Sequence, residues 1–195
     1  MAHGFYAFVS RMKNIDRWAL MRNSYRENVQ EHSHMVAVIA HALAVIRRDV
    51  LGLEADPDKA AAAALYHDAT EIFTGDMPTP VKYQNPDIMK AYKDVEKLAS
   101  KRLVSTLPEE MRGEYEKLMA GPDAETKALV KAADKISAYI KCIEELKAGN
   151  GEFALAAKQT KAKLEALKMP EVDYFMEKFI PAFELTLDEL NYSLD

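Results

Sequence analysis

What the sequence has little of narrows it first. A lone cysteine, Cys142, leaves no disulfide to form within the chain and suits a reducing compartment. There is no surplus of positive charge. Lys and Arg number 26 against 31 Asp and Glu, a net charge of −5, which argues against a nucleic-acid polymer as the main partner. That balance does not exclude a small anionic substrate, because one arginine or a bound cation reverses the field locally. Long apolar runs are missing too. The longest, residues 35–46, is interrupted by His41 and falls short of the ~20 residues of a membrane span. The opening stretch MAHGFYAFVSRMKNIDRW lacks the apolar core of a signal peptide. The expectation is a cytoplasmic protein that engages no membrane. No segment alternates as a half-buried strand would, and no repeat or low-complexity tract is present.

Helical patterns fill the chain. Its 195 residues, 49% of them hydrophobic, suffice for one core and are too few for two. We therefore expect a single all-α domain over residues 1–195, a bundle of about seven to eight helices. A short first helix over residues 2–12 sets Phe5, Phe8, Val9 and Met12 on one face, and residues 14–26 are partly loop. Asn28 with Glu31 three residues on forms a capping box. The long helix it opens buries Val36, Ile39, Ala40, Leu43 and Ile46 and ends before Gly52. Asp56-Pro57 opens a third helix, expected to continue through LYHDATEIF to Gly75. DMPTPVKY, with two prolines, is a loop. Asn85-Pro86, Pro108 and Asp123 start further helices, the last closed by Gly149. Two more cover about residues 152–168 and 171–191, the second kinked at Pro181.

The chemistry-bearing segment is LYHDATEIF. On a continuous helix His67 and Glu71 lie about 40° apart, with Asp68 about 100° from His67. An imidazole and two carboxylates then share one arc among apolar neighbours, which is costly unless they pair or hold a metal. The bland alternative is an exposed pair on an amphipathic helix. A metal needs further ligands. The second and third helices are joined by a short connection, so they run antiparallel, and His32 near the start of one meets His67 near the end of the other. His34 and His41 point elsewhere around the same helix, and His3 is solvated. Asp134, flanked by small residues, is the best further candidate, with Glu125 and Glu144 as competitors. Two His and two Asp suit a transition metal such as Mn, Fe, Co, Ni or Zn. Such a site could activate water, and Glu71 is placed to take its proton.

The order His32, His67-Asp68, Asp134 resembles the signature of the HD superfamily. The segments IDRWALMRN, ENVQEHS, ALYHDATEIFTGDMPTPVKY, KAADKISAYIKCIEEL and VDYFMEKFIPAF are similar to the bacterial HD-domain 5′-deoxynucleotidases over nearly the whole chain. The resemblance implies a homodimer of all-α subunits that removes phosphate from deoxyribonucleoside 5′-monophosphates, disfavours ribonucleotides and uses a divalent transition metal, Co²⁺ or Mn²⁺ among them. It implies His32, His67, Asp68 and Asp134 as metal ligands and Glu71 as the catalytic glutamate. Arg17 would orient the phosphate and act in catalysis, and Trp18 would lie beside the sugar. Asp76, Met77, Pro78 and Thr79, with Asp68 and Asp134, would complete the substrate contacts. Taken singly, Arg17 could be a solvated arginine, Trp18 a core anchor and Asp76 a turn-former. A flat indole against the sugar C2′ would reject a hydroxyl, which would clash or lose water without gaining a partner. The alternatives are another HD reaction, on a cyclic, alarmone or triphosphate substrate, and a non-catalytic helical module with a structural metal. A triphosphate would need more basic residues than Arg17, Arg22 and Lys82.

Overall fold

The computed structural model describes residues 2–78, 85–120 and 122–192. Side-chain capping sets the main helices. Asn28 accepts from the Gln30 and Glu31 amides while Glu31 returns a bond to the Asn28 amide, opening α2, Val29–Val45. It follows the short α1, Phe5–Val9, and a 3₁₀ turn, Ser10–Asn14. Asp56 caps α3, Pro57–Leu65. A four-residue helix, α4, Glu71–Thr74, comes next. Asn85 opens α5, Pro86–Ser105, and α6 is Glu109–Ala120. Asp123 caps the longest helix, α7, Ala124–Lys147. The chain ends in α8, Ala154–Glu165, α9, Pro170–Lys178, and α10, Leu187–Tyr192. The all-α expectation holds among the described residues, with one isolated bridge, Asp16 to Asn28, as the β-type pairing. None of these helices is long and apolar enough to cross a membrane.

The structure departs from these expectations in two places, each for a physical reason. The third helix does not run to Gly75. It stops at Leu65, and residues 66–70 form consecutive tight turns before α4. The Ala64 carbonyl, which a continuing helix would offer to the Asp68 amide, instead accepts from the His67 amide and faces His67 Nδ1 at 2.7 Å. Leu65, the last residue of α3, is 43% exposed. The final helix is interrupted at Pro181 as expected, but by a full break rather than a kink: a 3₁₀ turn at Ile180–Glu184, where Pro181 cannot donate, separates α9 from α10. Within the segment VDYFMEKFIPAF the apolar residues divide. Val172, Phe175 and Ile180 lie in the chain's own core and Phe179 stays exposed.

Apolar residues gather in three clusters, and their meeting point decides where the site lies. The largest unites α2, α3, α7 and α9 through residues such as Val36, Leu43, Ala63, Leu129, Ile136 and Phe175. The second joins the N-terminal helix to α5 and includes Val29, Ala69 and Leu103. The third is small: Cys142, Phe153 and Ala157, with Trp18 and Met21 against them. His32 sits on the buried stripe of α2 between Val29 of the second cluster and Val36 of the first. His67 and Asp68 fall between Ala64 of the first and Ala69 of the second.

Candidate active site

The antiparallel pairing of α2 and α3 brings His32 and His67 together, with ring centroids 5.4 Å apart. Asp68 joins them. Its Oδ2 lies 3.1 Å from His67 Nε2 and 3.7 Å from His32 Nε2. One ligand-type atom from each of the three falls within 4.8 Å of the others. Asp134 approaches from α7, its Oδ1 3.2 Å from His32 Nε2. Glu125 and Glu144 are elsewhere, held by Arg47 and the Tyr25 hydroxyl respectively. His34 and His41 are exposed.

These contacts attract without closing hydrogen bonds. His32 Nε2 and His67 Nε2 are both buried and neither has a hydrogen-bond partner, so the nearby carboxylates lie off the axis along which a ring N–H or lone pair points. The opposite ring nitrogens are engaged: His67 Nδ1 faces the Ala64 carbonyl and His32 Nδ1 the Ser137 hydroxyl at 3.2 Å. A ring that donates Nδ1–H to such a partner offers Nε2 to a metal once that nitrogen gives up its proton. The donor set therefore fits a divalent transition ion held by His32, His67 and Asp68, with Asp134 beside them.

The field follows from burial and crowding. Burial works against charge on His67, but Asp68, Asp134 and the Ala64 carbonyl outweigh it and push the imidazole up to about 9. Burial likewise opposes ionisation of Asp68, and His67, His32 and Arg17 hold it well below the usual carboxylate range. Glu71 goes the other way. Burial, then the charges of Asp68 and Asp76, push its carboxyl up to about 9 against the pull of Arg17 and His67. Its Oε2 is buried with no hydrogen-bond partner.

Arg17 lies at the rim, 12% exposed, with Nη1 3.5 Å from Asp68 Oδ2 and Nε 3.2 Å from Glu27 Oε2. Asp68, Glu27, Asp134 and Asp76 keep it charged against burial. Trp18 leans on Phe153, with ring centroids 5.4 Å apart, and its indole N–H donates to the same Glu27 oxygen at 3.0 Å. Glu27 was not singled out from the sequence. It directly precedes the Asn28 cap, and nothing in its spacing marks it. Asp76 is an electrostatic neighbour of both Arg17 and Glu71. Met77 and Pro78 follow it, half-buried, while Thr79 lies outside the described residues. Arg22, offered as a further cation for a polyphosphate, is almost wholly exposed and pairs with Glu152, and Lys82 lies outside the described residues.

Comparison with known proteins shows the family. The 5′-deoxynucleotidases YfbR of Shigella boydii and Escherichia coli are each 51% identical over 190 residues, covering 96% of this chain and 95% of theirs. An HD-domain phosphohydrolase from Listeria innocua superposes with a TM-score of 0.79 at 26% identity, over 93% of this chain and 88% of that one. A cyanophage S-2L HD phosphohydrolase, solved with dA and one catalytic Zn²⁺ ion, shares the fold at a TM-score of 0.62 and 21% identity, over 90% of this chain and 95% of its own. The family described as 5′-deoxynucleotidase YfbR-like matches residues 4–183, a span that holds every residue of the cluster, and the chain belongs to that family.

Proposed function

We propose that this chain hydrolyses deoxyribonucleoside 5′-monophosphates at the His32–His67–Asp68 cluster, discriminates against ribonucleotides, and does so with a divalent transition metal such as Co²⁺ or Mn²⁺. Its family makes it a 5′-deoxynucleotidase, a phosphomonoesterase giving a deoxynucleoside and phosphate. The observation that carries the metal reading is the pair of orphaned ring nitrogens. His32 Nε2 and His67 Nε2 are buried without partners beside Asp68, while their other nitrogens are oriented from behind. Leaving such groups unmade costs about 1–3 kcal/mol each, a cost that a bound ion removes.

His32, His67, Asp68 and Asp134 would hold the ion, which when bound supplies Lewis-acid polarisation of a phosphoryl oxygen and acidifies water. The chain's own residues do the rest. Arg17, kept charged and pointed at the cluster, neutralises the remaining phosphate oxygens. Glu71, whose carboxyl stands at about 9 against the bare carboxylates, would take the proton of the attacking water once the positive charge of a bound ion draws it down, and its buried, unpartnered Oε2 supports that role. Asp76, near Glu71 and Arg17, is positioned for the sugar or the leaving 5′-oxygen. Met77 and Pro78, half-buried beside Asp76, would extend that edge of the site, and Thr79 would add a further substrate contact. Trp18 walls the sugar and rejects a 2′-hydroxyl. The same reading takes residues 1–195 as one HD-type domain acting as a cytoplasmic homodimer, with no membrane or nucleic-acid polymer as partner. Sedimentation of the purified protein tests the dimer.

Phosphate release from dAMP and AMP, with Co²⁺ or Mn²⁺ and with chelator, tests the function. Rapid release from dAMP alone, lost on chelation, is expected. Equal rates on the two nucleotides defeat the selectivity, and full activity in chelator defeats the metal.

A further inference from the structure

Trp18 adopts a backbone conformation that its residue type avoids. Its φ is +56°, in the left-handed region, where a bulky side chain is strained. Such a conformation persists only when its surroundings over-determine it, and here Glu27 does much of the work. The Glu27 carbonyl accepts from the Arg17 amide at 2.9 Å. Its carboxylate oxygen Oε2 accepts from Arg17 Nε at 3.2 Å and from Trp18 Nε1 at 3.0 Å. The other supports of the turn are the Trp18 carbonyl, which accepts from the Met21 amide at 2.9 Å and the Asn23 side chain at 3.3 Å, and the Phe153 ring. One carboxylate oxygen thus ties the guanidinium that faces Asp68 to the indole that leans on Phe153. Glu27 is only 13% exposed, so water competes weakly for it.

We propose that Glu27 is a positioning residue that sets deoxyribose selectivity by fixing the Trp18 indole in register with the Arg17 guanidinium. The distance between phosphate and sugar C2′ is set by the substrate. A wall can exclude a 2′-hydroxyl only if it stands at a fixed distance from the phosphate anchor. Glu27 supplies that fixed distance, because the same atom holds both donors. With it removed, Arg17 keeps Asp68 as a partner and still attracts phosphate. The indole loses its polar tether and relaxes from a strained backbone, so the wall yields to a hydroxyl. This rests on reading Trp18 as the wall beside the sugar.

The test uses Glu27→Met, which keeps the length of the stem without a strong acceptor, and Glu27→Gln, whose amide oxygen can still accept. Trp18 is the only tryptophan in the chain, so intrinsic fluorescence reports its position without reference to activity. Glu27→Met is expected to shift the emission and raise acrylamide quenching. It should also lower the ratio of kcat/KM for dAMP over AMP by about ten-fold or more, mainly by admitting AMP. Glu27→Gln should restore most of the ratio and the wild-type spectrum, which a loss of general stability would not predict. Unchanged fluorescence in a folded Glu27→Met overturns the positioning role. Changed fluorescence with an unchanged dAMP/AMP ratio overturns the selectivity role. If Glu27→Met fails to fold by circular dichroism, Glu27→Ala carries the same readings. If the wild-type protein itself does not prefer dAMP, the reading of Trp18 fails, and with it the selectivity role of Glu27. The fluorescence comparison still decides whether Glu27 positions the indole.

Discussion

Helix α7 serves two buried charge clusters that differ in one respect. Near its C-terminal end, Lys141 and Glu145 are both almost fully buried and every charge has company. The Lys141 ammonium donates to Glu145 and to the Tyr25 carbonyl at 2.8 Å, and stands 3.5 Å from the centre of the Tyr25 ring. Glu145 also accepts from the Ser24 amide and from Asn150, each at 2.8 Å. One turn before this knot and further back along the same helix, Ser137 and Asp134 face the other cluster, where His32 Nε2, His67 Nε2 and Glu71 Oε2 have no hydrogen-bond partner. Those three make half of the six orphaned buried side-chain atoms among the described residues. The chain can satisfy buried charge where only structure is at stake. Concentrated dissatisfaction marks the place built for something the chain does not itself supply.

Four experiments would break or sharpen that contrast. The largest effect belongs to His67→Ala. Phosphate release from dAMP should fall to the level of chelated wild type, while the metal-free protein loses under about 2 kcal/mol of stability. Substantial activity in this variant would erase the distinction. Glu71→Gln comes next, with kcat expected to drop ~10²–10⁴-fold and the melting temperature to hold or rise, since an unpartnered buried carboxyl is replaced by a neutral amide. Steady-state kinetics beside a thermal melt separates the two readouts.

The knot should behave in the opposite sense. Glu145→Ala leaves Lys141 buried and unpaired, so unfolding in urea should show a loss of about 3–5 kcal/mol with metal affinity unchanged. Burial opposes ionisation of Glu145, but Lys141, Asn150 and Ser24 hold it down to about 2. A depressed carboxylate stabilises the fold above its unfolded value of ~4.3 and loses that contribution as pH falls toward about 2. Wild type and Glu145→Ala should therefore converge as acid is added through that window. Parallel pH curves would show that the pair contributes no such linkage. The smallest effect is expected for Ser137→Ala, which removes the partner of His32 Nδ1. Metal affinity should weaken ~10–100-fold, read by competition with a chromogenic chelator. An unchanged affinity would mean that Ser137 does not orient the ring.

Much of the scaffold was legible because it depends on local signals. The caps Asn28, Asp56, Asn85 and Asp123 act within three residues of themselves, and each opens its helix as expected. The buried stripe of the second helix, Val36, Ile39, Ala40, Leu43 and Ile46, follows from periodicity and is borne out residue by residue. The approach of His32 to His67 followed from helix order and a short connection. The break at Leu65 had no such signal. No glycine or proline marks it, and an alanine-rich run favours continuation. The turn at residues 66–70 is bound up with contacts of the His67 ring that a helical propensity does not contain.

The sequence by itself determined which residue types could make chemistry, and the order of helices that would present them. Composition, caps and periodicity are short-range properties, so they survive without coordinates. Tertiary structure alone decided that His67 and Asp68 sit in a turn rather than on a helix face, that two ring nitrogens are buried without partners, and that Glu27 joins Arg17 to Trp18 through one oxygen. Satisfaction of a buried polar atom depends on every neighbour within ~3.5 Å, most of them distant in sequence, and only the folded chain brings those neighbours together.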